Sequence, residues 1–171
     1  ELIEGWNNMS FYLTPEDMNM EAIVAGLVEN DELIKIQDET GHALEYVGFP
    51  INSWVNNIGD MMITEGYKIK VNTETSLYAM GLAVELPLTI PLVAGWNTTG
   101  YPATEEQVAM DLLQPLIDNN NLIKVQNESG AAIEFIGFPI NAWVDNIGNF
   151  MPDEGYQVKV IEEDVLVITA P

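Results

Sequence analysis

The chain has 171 residues, with 27 Asp or Glu against 5 Lys or Arg, which gives a formal net charge of −22 at pH 7. A surface this acidic repels the phosphate groups of nucleic acids and of anionic lipids, so we expect no nucleic-acid partner. No apolar run approaches the ~18 residues that span a bilayer, so we expect no membrane insertion. The absence of Cys excludes disulfides, thiolate nucleophiles and Cys-based zinc sites.

The chain contains one sequence twice. GFPINSWVNNIGDM at 48–61 returns as GFPINAWVDNIGNF at 137–150, and 19 of the 31 positions from 41–71 are identical in 130–160. The offset is 90 residues at Trp6 and Trp96 and 89 residues after the first helix. We therefore divide the chain into copy one (1–81), an apolar connecting strand (82–90) and copy two (91–171), and expect the copies to pack together.

Each copy is predicted to open with a short strand that ends in Gly-Trp-Asn and to continue as a helix. Thr14 as N-cap and Pro15 at the first helical position predict where the first helix begins. Its apolar positions have helical spacing: Met20, Ile23, Val24, Leu27 and Val28. Copy two repeats this pattern after Thr104, and Pro115 is predicted to kink or shorten its helix.

A hairpin follows in each copy, because turn residues separate two runs rich in β-branched residues. Ile51, Trp54, Val55 and Ile58 then have helical spacing, which predicts a second short helix ending at Gly59. Two further strands, GYKIKV and SLYAM, complete copy one. The predicted fold class is α+β: two pseudo-symmetric repeats, each β-α-β-β-α-β-β, with mainly antiparallel sheet.

Aromatic residues at matching places are the candidate ligand-binding side chains. An exposed indole or phenol can stack on a sugar ring while nearby amides bind its hydroxyls, although aromatic residues at such spacing also form cores. Burial in the core is the alternative for each of them. The candidates are Trp6, Trp96, Trp54, Trp143, Tyr67 and Tyr156.

Oxygen-rich loops are candidate calcium ligands, because Ca²⁺ takes six to eight hard oxygen ligands. Asp60, Asp145 and Asn149 are the proposed metal ligands. The spacing is not that of an EF-hand, and turn and cap chemistry explains the same residues. We therefore expect no obligatory cofactor, with calcium as the one candidate.

Matched glutamates raise the alternative of an enzyme that acts on polysaccharides, which needs two carboxyl groups a few ångströms apart in one cleft. Glu45 and Glu134 lie on hairpin strands in different copies, and cross-strand contacts with Lys35 and Lys124 explain them without chemistry. We expect no enzymatic activity.

The chain resembles repeat modules of large secreted and surface proteins of Bacteroidetes-type bacteria, many of them cargo of type IX secretion. The resemblance covers nearly all of both copies and depends most on Gly5-Trp6-Asn7, Gly95-Trp96-Asn97 and the Gly-Tyr pairs at 66–67 and 155–156. The modules commonly show Gly-Trp-Asn-x-Ile-Ser-Tyr-Pro; here Met9 and Thr99 replace the Ile, and only copy two has the Pro. The resemblance implies an extracellular or cell-surface segment of a larger multidomain protein.

The leading functional hypothesis is a non-catalytic module for adhesion or carbohydrate binding, with a glycan, a surface component or neighbouring domains of the same protein as partner. It requires Trp side chains that are partly exposed beside amide and acidic groups. The alternative is a structural spacer or assembly module without a ligand.

Overall fold

The computed structural model describes residues 1–170 and shows a protein of antiparallel sheets, with 45% of residues in strands and 11% in helices. The prediction of mainly antiparallel pairing is confirmed. Among the described residues, no helix has the length and apolar character needed to cross a bilayer.

Copy one forms a five-stranded sheet with the order β1-β6-β3-β4-β5. Its strands are β1 Gly5–Met9, β2 Leu13–Pro15, β3 Leu33–Gln37, β4 Ala43–Val47, β5 Ser53–Asn56, β6 Tyr67–Val71 and β7 Gly81–Ala83. Two short helices, α1 Met20–Ile23 and α2 Ala25–Glu29, precede β3. Strands β2 and β7 pair separately as a small two-stranded sheet.

Copy two forms a second five-stranded sheet with the equivalent order, β9-β15-β11-β12-β13. Its strands are β8 Leu88–Leu92, β9 Gly95–Gly100, β10 Gln107–Val108, β11 Leu122–Gln126, β12 Ala132–Ile136, β13 Ala142–Asp145, β14 Asn149–Phe150, β15 Gly155–Val160 and β16 Asp164–Ile168. One helix, α3 Ala109–Asp118, precedes β11. Strand β8 pairs with β16, and β10 pairs with β14.

Each large sheet has one buried and one solvent face, as strand alternation requires. In copy one the inner face carries Ile36, Leu44 and Ile69, all of them fully buried. The buried residues form two separate hydrophobic clusters, one drawn from residues 2–71 and the other from residues 90–168. Each copy therefore has its own core.

The first helix begins later than its sequence predicts. Thr14 and Pro15 belong to strand β2, and Asn19 is the N-cap, whose side chain accepts a hydrogen bond from Glu21 N at 3.0 Å. The apolar stripe does face the core, because Met20, Val24 and Leu27 are buried. In copy two, Pro115 lies inside an uninterrupted ten-residue helix. The predicted cap at Thr14 and the predicted shortening at Pro115 are both wrong.

The predicted second helix is a strand in both copies. Ser53–Asn56 pairs with β4 and Ala142–Asp145 pairs with β12, in hairpins that turn at the Gly-Phe-Pro-Ile segments. Ile51 is 57% exposed, so it does not share a buried face with Trp54. Trp and Val favour strands, and pairing with the preceding strand, not the local helical spacing, decides the element. The unit β-α-β-β-α-β-β is corrected accordingly.

The connecting segment 82–90 is divided between the copies. Its first residues complete β7, which pairs with β2 of copy one, and its last residues lie in β8, which pairs with β16 of copy two. It is therefore two short strand ends, one in each copy, instead of one connecting strand.

The copies meet along a seam of main-chain hydrogen bonds, which we define as residues 8–10, 64–66, 98–100 and 153–155. Ser10 N donates to Asp153 O at 2.8 Å, and Gly100 N donates to Thr64 O at 3.0 Å. Because Gly100 is the counterpart of Ser10 and Asp153 is the counterpart of Thr64, the two contacts are reciprocal.

Candidate functional site

The Gly-Trp-Asn motif directs its Trp outward. Gly5 adopts φ +106°, a left-handed conformation that favours glycine, and the buried Asn7 side chain ties the preceding bend by bonding to Ile3 N at 2.8 Å and Ile3 O at 2.9 Å. Asn97 makes the same two bonds to Val93, at 2.8 and 2.9 Å. With Asn facing inward, strand alternation places the neighbouring Trp on the solvent face.

Trp6 and Trp96 are therefore half exposed, at 48% and 46% of their surface. Each stands directly opposite a lysine across the sheet, Trp6 with Lys70 and Trp96 with Lys159. The Lys Nζ atoms lie 5.7 and 5.3 Å from the ring centroids, within the range of a cation–π contact. This contact holds the indole in place and puts a cation beside it.

A cross-strand row extends from each Trp over the outer face of its sheet. In copy one the row is Trp6, Lys70, Lys35, Glu45 and Val55. In copy two it is Trp96, Lys159, Lys124, Glu134 and Val144. Lys68 stands beside the first row, opposite Gln37. We call these two outer surfaces together the Trp–Lys face.

The Trp–Lys face carries every lysine of a chain whose net charge is −22. Its two glutamates form ion pairs, Lys35 Nζ to Glu45 Oε2 at 3.0 Å and Lys124 Nζ to Glu134 Oε2 at 3.2 Å. The predicted cross-strand Glu–Lys contacts are confirmed. The cations without a glutamate in the row leave this face less negative than the rest of the surface.

A groove joins the two halves of the Trp–Lys face where the copies meet. Trp96, Thr98 and Gln157 of copy two line it together with Gln37, Lys68 and the turn at 38–41 of copy one, around a cavity of about 340 Å³. Glu39 Oε2 fixes the turn by accepting a hydrogen bond from Thr98 N at 2.8 Å. Glu128 makes the reciprocal bond to Asn8 N at 2.9 Å. The groove thus combines an aromatic wall with amides, an ammonium group and carboxylates.

Tyr67 and Tyr156 do not belong to this face, and their assignment as ligand-binding residues is wrong. Both are fully buried, because they alternate with the lysines of their strands and point into the core. Each hydroxyl accepts a hydrogen bond from a main-chain N–H at 2.8 Å, that of Met62 or Met151, and donates to Glu65 or Glu154. These hydrogen bonds fix the loops that lie at the seam between the copies.

Trp54 and Trp143 are partly buried against the two cores. Each makes an edge-to-face contact with the aromatic residue opposite, Tyr46 at 6.1 Å and Phe135 at 6.0 Å between centroids. They occupy the inner side of the sheets, so the structure does not bring them together with Trp6 and Trp96.

Of the proposed calcium ligands, Asp145 caps a turn, Asn149 lies in strand β14 and Asp60 forms an isolated bridge with Asn19. Asp145 Oδ1 accepts hydrogen bonds from Ile147 N and Gly148 N, both at 2.8 Å, and its counterpart Asn56 does the same at 3.0 Å. Asp60 is the counterpart of Asn149, so Asp60 and Asp145 lie in different copies. Within residues 1–170 no three His, Cys, Asp or Glu side chains form a group suited to a metal ion.

Two further features of the surface come from the structure. The lysines share a face with Trp6 and Trp96, a grouping that depends on the strand register. The tips of the Gly-Phe-Pro-Ile turns are also exposed, with Phe49 at 91% and Phe138 at 99%. Their identical sequence in both copies, GFPIN, was the available signal.

Comparisons of this chain with protein-family models, with curated proteins and with solved structures find no match.

Proposed function

We propose that the chain is a non-catalytic carbohydrate-binding module and that the Trp–Lys face is its binding surface. The observation that carries the proposal is the pair of half-exposed indoles, Trp6 and Trp96, at equivalent positions of the two sheets. Each has a lysine against its ring and amide or hydroxyl side chains on the next row of the sheet. This is the partial exposure that the hypothesis requires.

The chemistry of the face suits a saccharide. The flat apolar surface of an indole packs against the C–H groups of a sugar ring, while Gln37 and Gln157 offer both donors and acceptors to its hydroxyls. Lys68 adds a cation in the groove. Because Lys70 and Lys159 lie against the two indoles, a carboxylate group of a polysaccharide would find a cation beside each stacking site.

The reciprocal seam supports an approximate two-fold relation between the copies, so one chain offers two similar surfaces. A polymer with a repeating unit can engage both, which increases the overall affinity without new contacts. This is the role we propose for the duplication.

The test is binding to immobilised polysaccharides, acidic and neutral, by the chain and by Trp6→Ala, Trp96→Ala and the double variant. Each single variant should lose roughly tenfold in affinity, because stacking of one ring on an aromatic side chain contributes about 1–3 kcal/mol. The double variant should lose detectable binding. Phe49→Ala is the control, because it removes an aromatic ring that is even more exposed, at 91%, and lies outside the Trp–Lys face. Equal binding by the double variant would exclude the proposal.

A second candidate function is assembly, supported by the apolar turn tips. Phe49, Ile51, Phe138 and Ile140 are each more than half exposed, and exposed apolar groups of this kind mark contact surfaces. A chain that binds no polysaccharide but self-associates, and does so less after Phe49→Ser, would favour this function.

Location outside the cell and absence of catalysis stay predictions. The calcium hypothesis also stays a prediction, and thermal unfolding with and without a chelator tests it. A bound ion stabilises the native state by mass action, so a lower unfolding temperature in chelator would show a site.

A further inference from the structure

Among residues 1–170, the last strand of copy two has a full partner strand, whereas its counterpart in copy one has only an isolated bridge. Strand β8 pairs with β16 over five residues, from Asp164 opposite Leu92 to Ile168 opposite Leu88. The pairing seals the core of copy two, since Ile90, Leu166 and Ile168 are 0–2% exposed.

In copy one the counterpart of β16 is the segment 75–79, and we call residues 76–80 the open edge. Thr75 pairs with Leu2 through two main-chain bonds of 2.8 and 3.0 Å. In the described part of the chain, residues 76–80 make no backbone–backbone hydrogen bond. Leu77 and Ala79, the counterparts of Leu166 and Ile168, are only partly buried.

A cavity of about 250 Å³ lies beside the open edge. Its apolar lining comes from Leu2, Met9, Phe11, Leu77 and Ala79. In copy two the counterparts of Leu2, Phe11 and Leu77 are Leu92, Tyr101 and Leu166, which form one core cluster with Ile90. The cavity is therefore at the position that the Ile90 side chain fills in copy two.

We propose that the open edge and this cavity bind an extended polypeptide strand with the apolar alternation of β8. The strand would add antiparallel to residues 77–79, as in other cases of strand addition to a sheet edge. The pairing of Leu2 with Thr75 fixes its register, because the new strand continues the same ladder. An Ile opposite Leu77 would enter the cavity, and a Leu would lie opposite Ala79.

The charged residues around the cavity indicate which residues should flank the bound strand. Glu1, Glu128, Asp153 and Glu154 line the cavity together with the apolar residues. A strand flanked by Lys therefore fits better than one flanked by Glu, and the difference should decrease at high salt.

The first experiment adds the strand covalently. A chain with Leu-Pro-Leu-Thr-Ile placed directly before Glu1 repeats residues 86–90 in the register of β8, and a control extension, Leu-Pro-Thr-Leu-Thr, moves the apolar residues to the other face. The matched extension should raise the unfolding temperature by at least about 3 °C and slow amide exchange at Leu77 and Ala79 at least tenfold. Equal effects from the two extensions would overturn the proposal.

The second experiment adds the strand in trans. A labelled peptide, Lys-Leu-Pro-Leu-Thr-Ile, should bind the original chain with a saturable change in anisotropy and should not bind the chain with the matched extension, in which the edge is filled. The same peptide with Glu in place of Lys should bind more weakly. Equal binding to both chains would show a different site and would contradict the proposal.

Discussion

At the scale of single residues, the hydroxyl of Ser10 makes two hydrogen bonds to main-chain groups across the seam. Ser10 is buried, its hydroxyl donates to Glu154 O at 2.6 Å, and it accepts from Tyr101 N at 3.0 Å. One side chain thus satisfies main-chain groups of the other copy. Its counterpart in copy two is Gly100, whose Cβ position would lie 2.9 Å from Glu65 O. The equivalent contact is therefore made by different residues in the two copies.

Ser10→Ala should destabilise the fold by about 1–3 kcal/mol, because it removes the hydrogen-bond partner of the buried Tyr101 N–H and of the partly buried Glu154 carbonyl. Denaturant unfolding measures the change. Ser53→Ala, which alters an exposed serine on strand β5, is the control and should stay within about 0.5 kcal/mol of the parent. A loss as small for Ser10→Ala would contradict the role given to its hydroxyl.

Three of the six tyrosines are fully buried: Tyr67, Tyr101 and Tyr156. Burial raises the pKa of Tyr101 to about 12 and raises the pKa of the other two further. A raised folded-state pKa contributes stability below the unfolded value of about 10 that is lost as the pH rises above it. Phenolate absorbance should show that these three tyrosines ionise only as the chain unfolds. Six tyrosines ionising together in a folded chain would contradict this burial.

At the scale of elements, strand alternation predicts which side chains are buried better than helical spacing does. In Tyr67-Lys68-Ile69-Lys70-Val71 the alternation alone places Tyr67 in the core and the lysines outside, so the burial of Tyr67 could have been predicted. The hairpins, the Glu–Lys pairs and the division into copies could be predicted too. The helix assigned to Ile51–Ile58 could not be excluded from local spacing, because its strand character depends on pairing with β4.

The seam also requires close approach of the main chains, which explains the glycines of the two Gly-Tyr pairs. A Cβ at Gly66 would lie 2.8 Å from Thr99 O, and one at Gly155 would lie 3.0 Å from Met9 O. Such contacts force the loops apart.

Gly66→Ala and Gly155→Ala should each cost about 1–3 kcal/mol of stability, with loss of the main-chain bonds at the seam. Denaturant unfolding and amide exchange at Gly100 and Ser10 provide the two readouts. Gly137→Ala is the control, since nothing lies within 4 Å of its Cβ position. Unchanged exchange in the seam variants would show that the copies do not meet in this way.

At the scale of the whole molecule, excess negative charge and carboxyls with shifted pKa values, Glu65 among them, control the dependence on pH. Burial raises the pKa of Glu65, with Glu39 and Asp38 adding to the rise, against the hydrogen bond from Tyr67. Ionised Glu65 therefore costs stability at pH 7, and this cost disappears as the pH falls through its raised pKa. The pKa of Asp164 is lowered by the hydrogen bond from Asn121, so the stability that it contributes is lost at still lower pH.

The chain should thus be more stable at about pH 5 than at pH 7 and should lose stability again below about pH 4. Glu65→Gln should be more stable than the parent at pH 7 and should gain less on acidification. Glu74→Gln changes the total charge equally at an exposed turn and is the control. A parent chain that only loses stability below pH 7, or identical curves for the two variants, would be inconsistent with this role of Glu65.

The Trp–Lys face is also a property of the whole molecule. The duplication predicted that Trp6 and Trp96 are equivalent, but only the strand register shows that every lysine shares their surface. The charge of the chain as a whole concealed this local concentration of cations. The open edge of copy one could not be predicted from the sequence either. SLYAM has the pattern of a strand whether or not a partner strand lies beside it.

The most direct test of binding at the Trp–Lys face follows the four indole N–H signals by two-dimensional NMR while an acidic polysaccharide is added. Point variants at each Trp assign the signals. Binding at the Trp–Lys face should shift the signals of Trp6 and Trp96 in a saturable way and leave those of Trp54 and Trp143 in place. Shifts confined to Trp54 and Trp143, or no shift with any acidic or neutral polysaccharide that the chain is given, would contradict the Trp–Lys face as the binding surface.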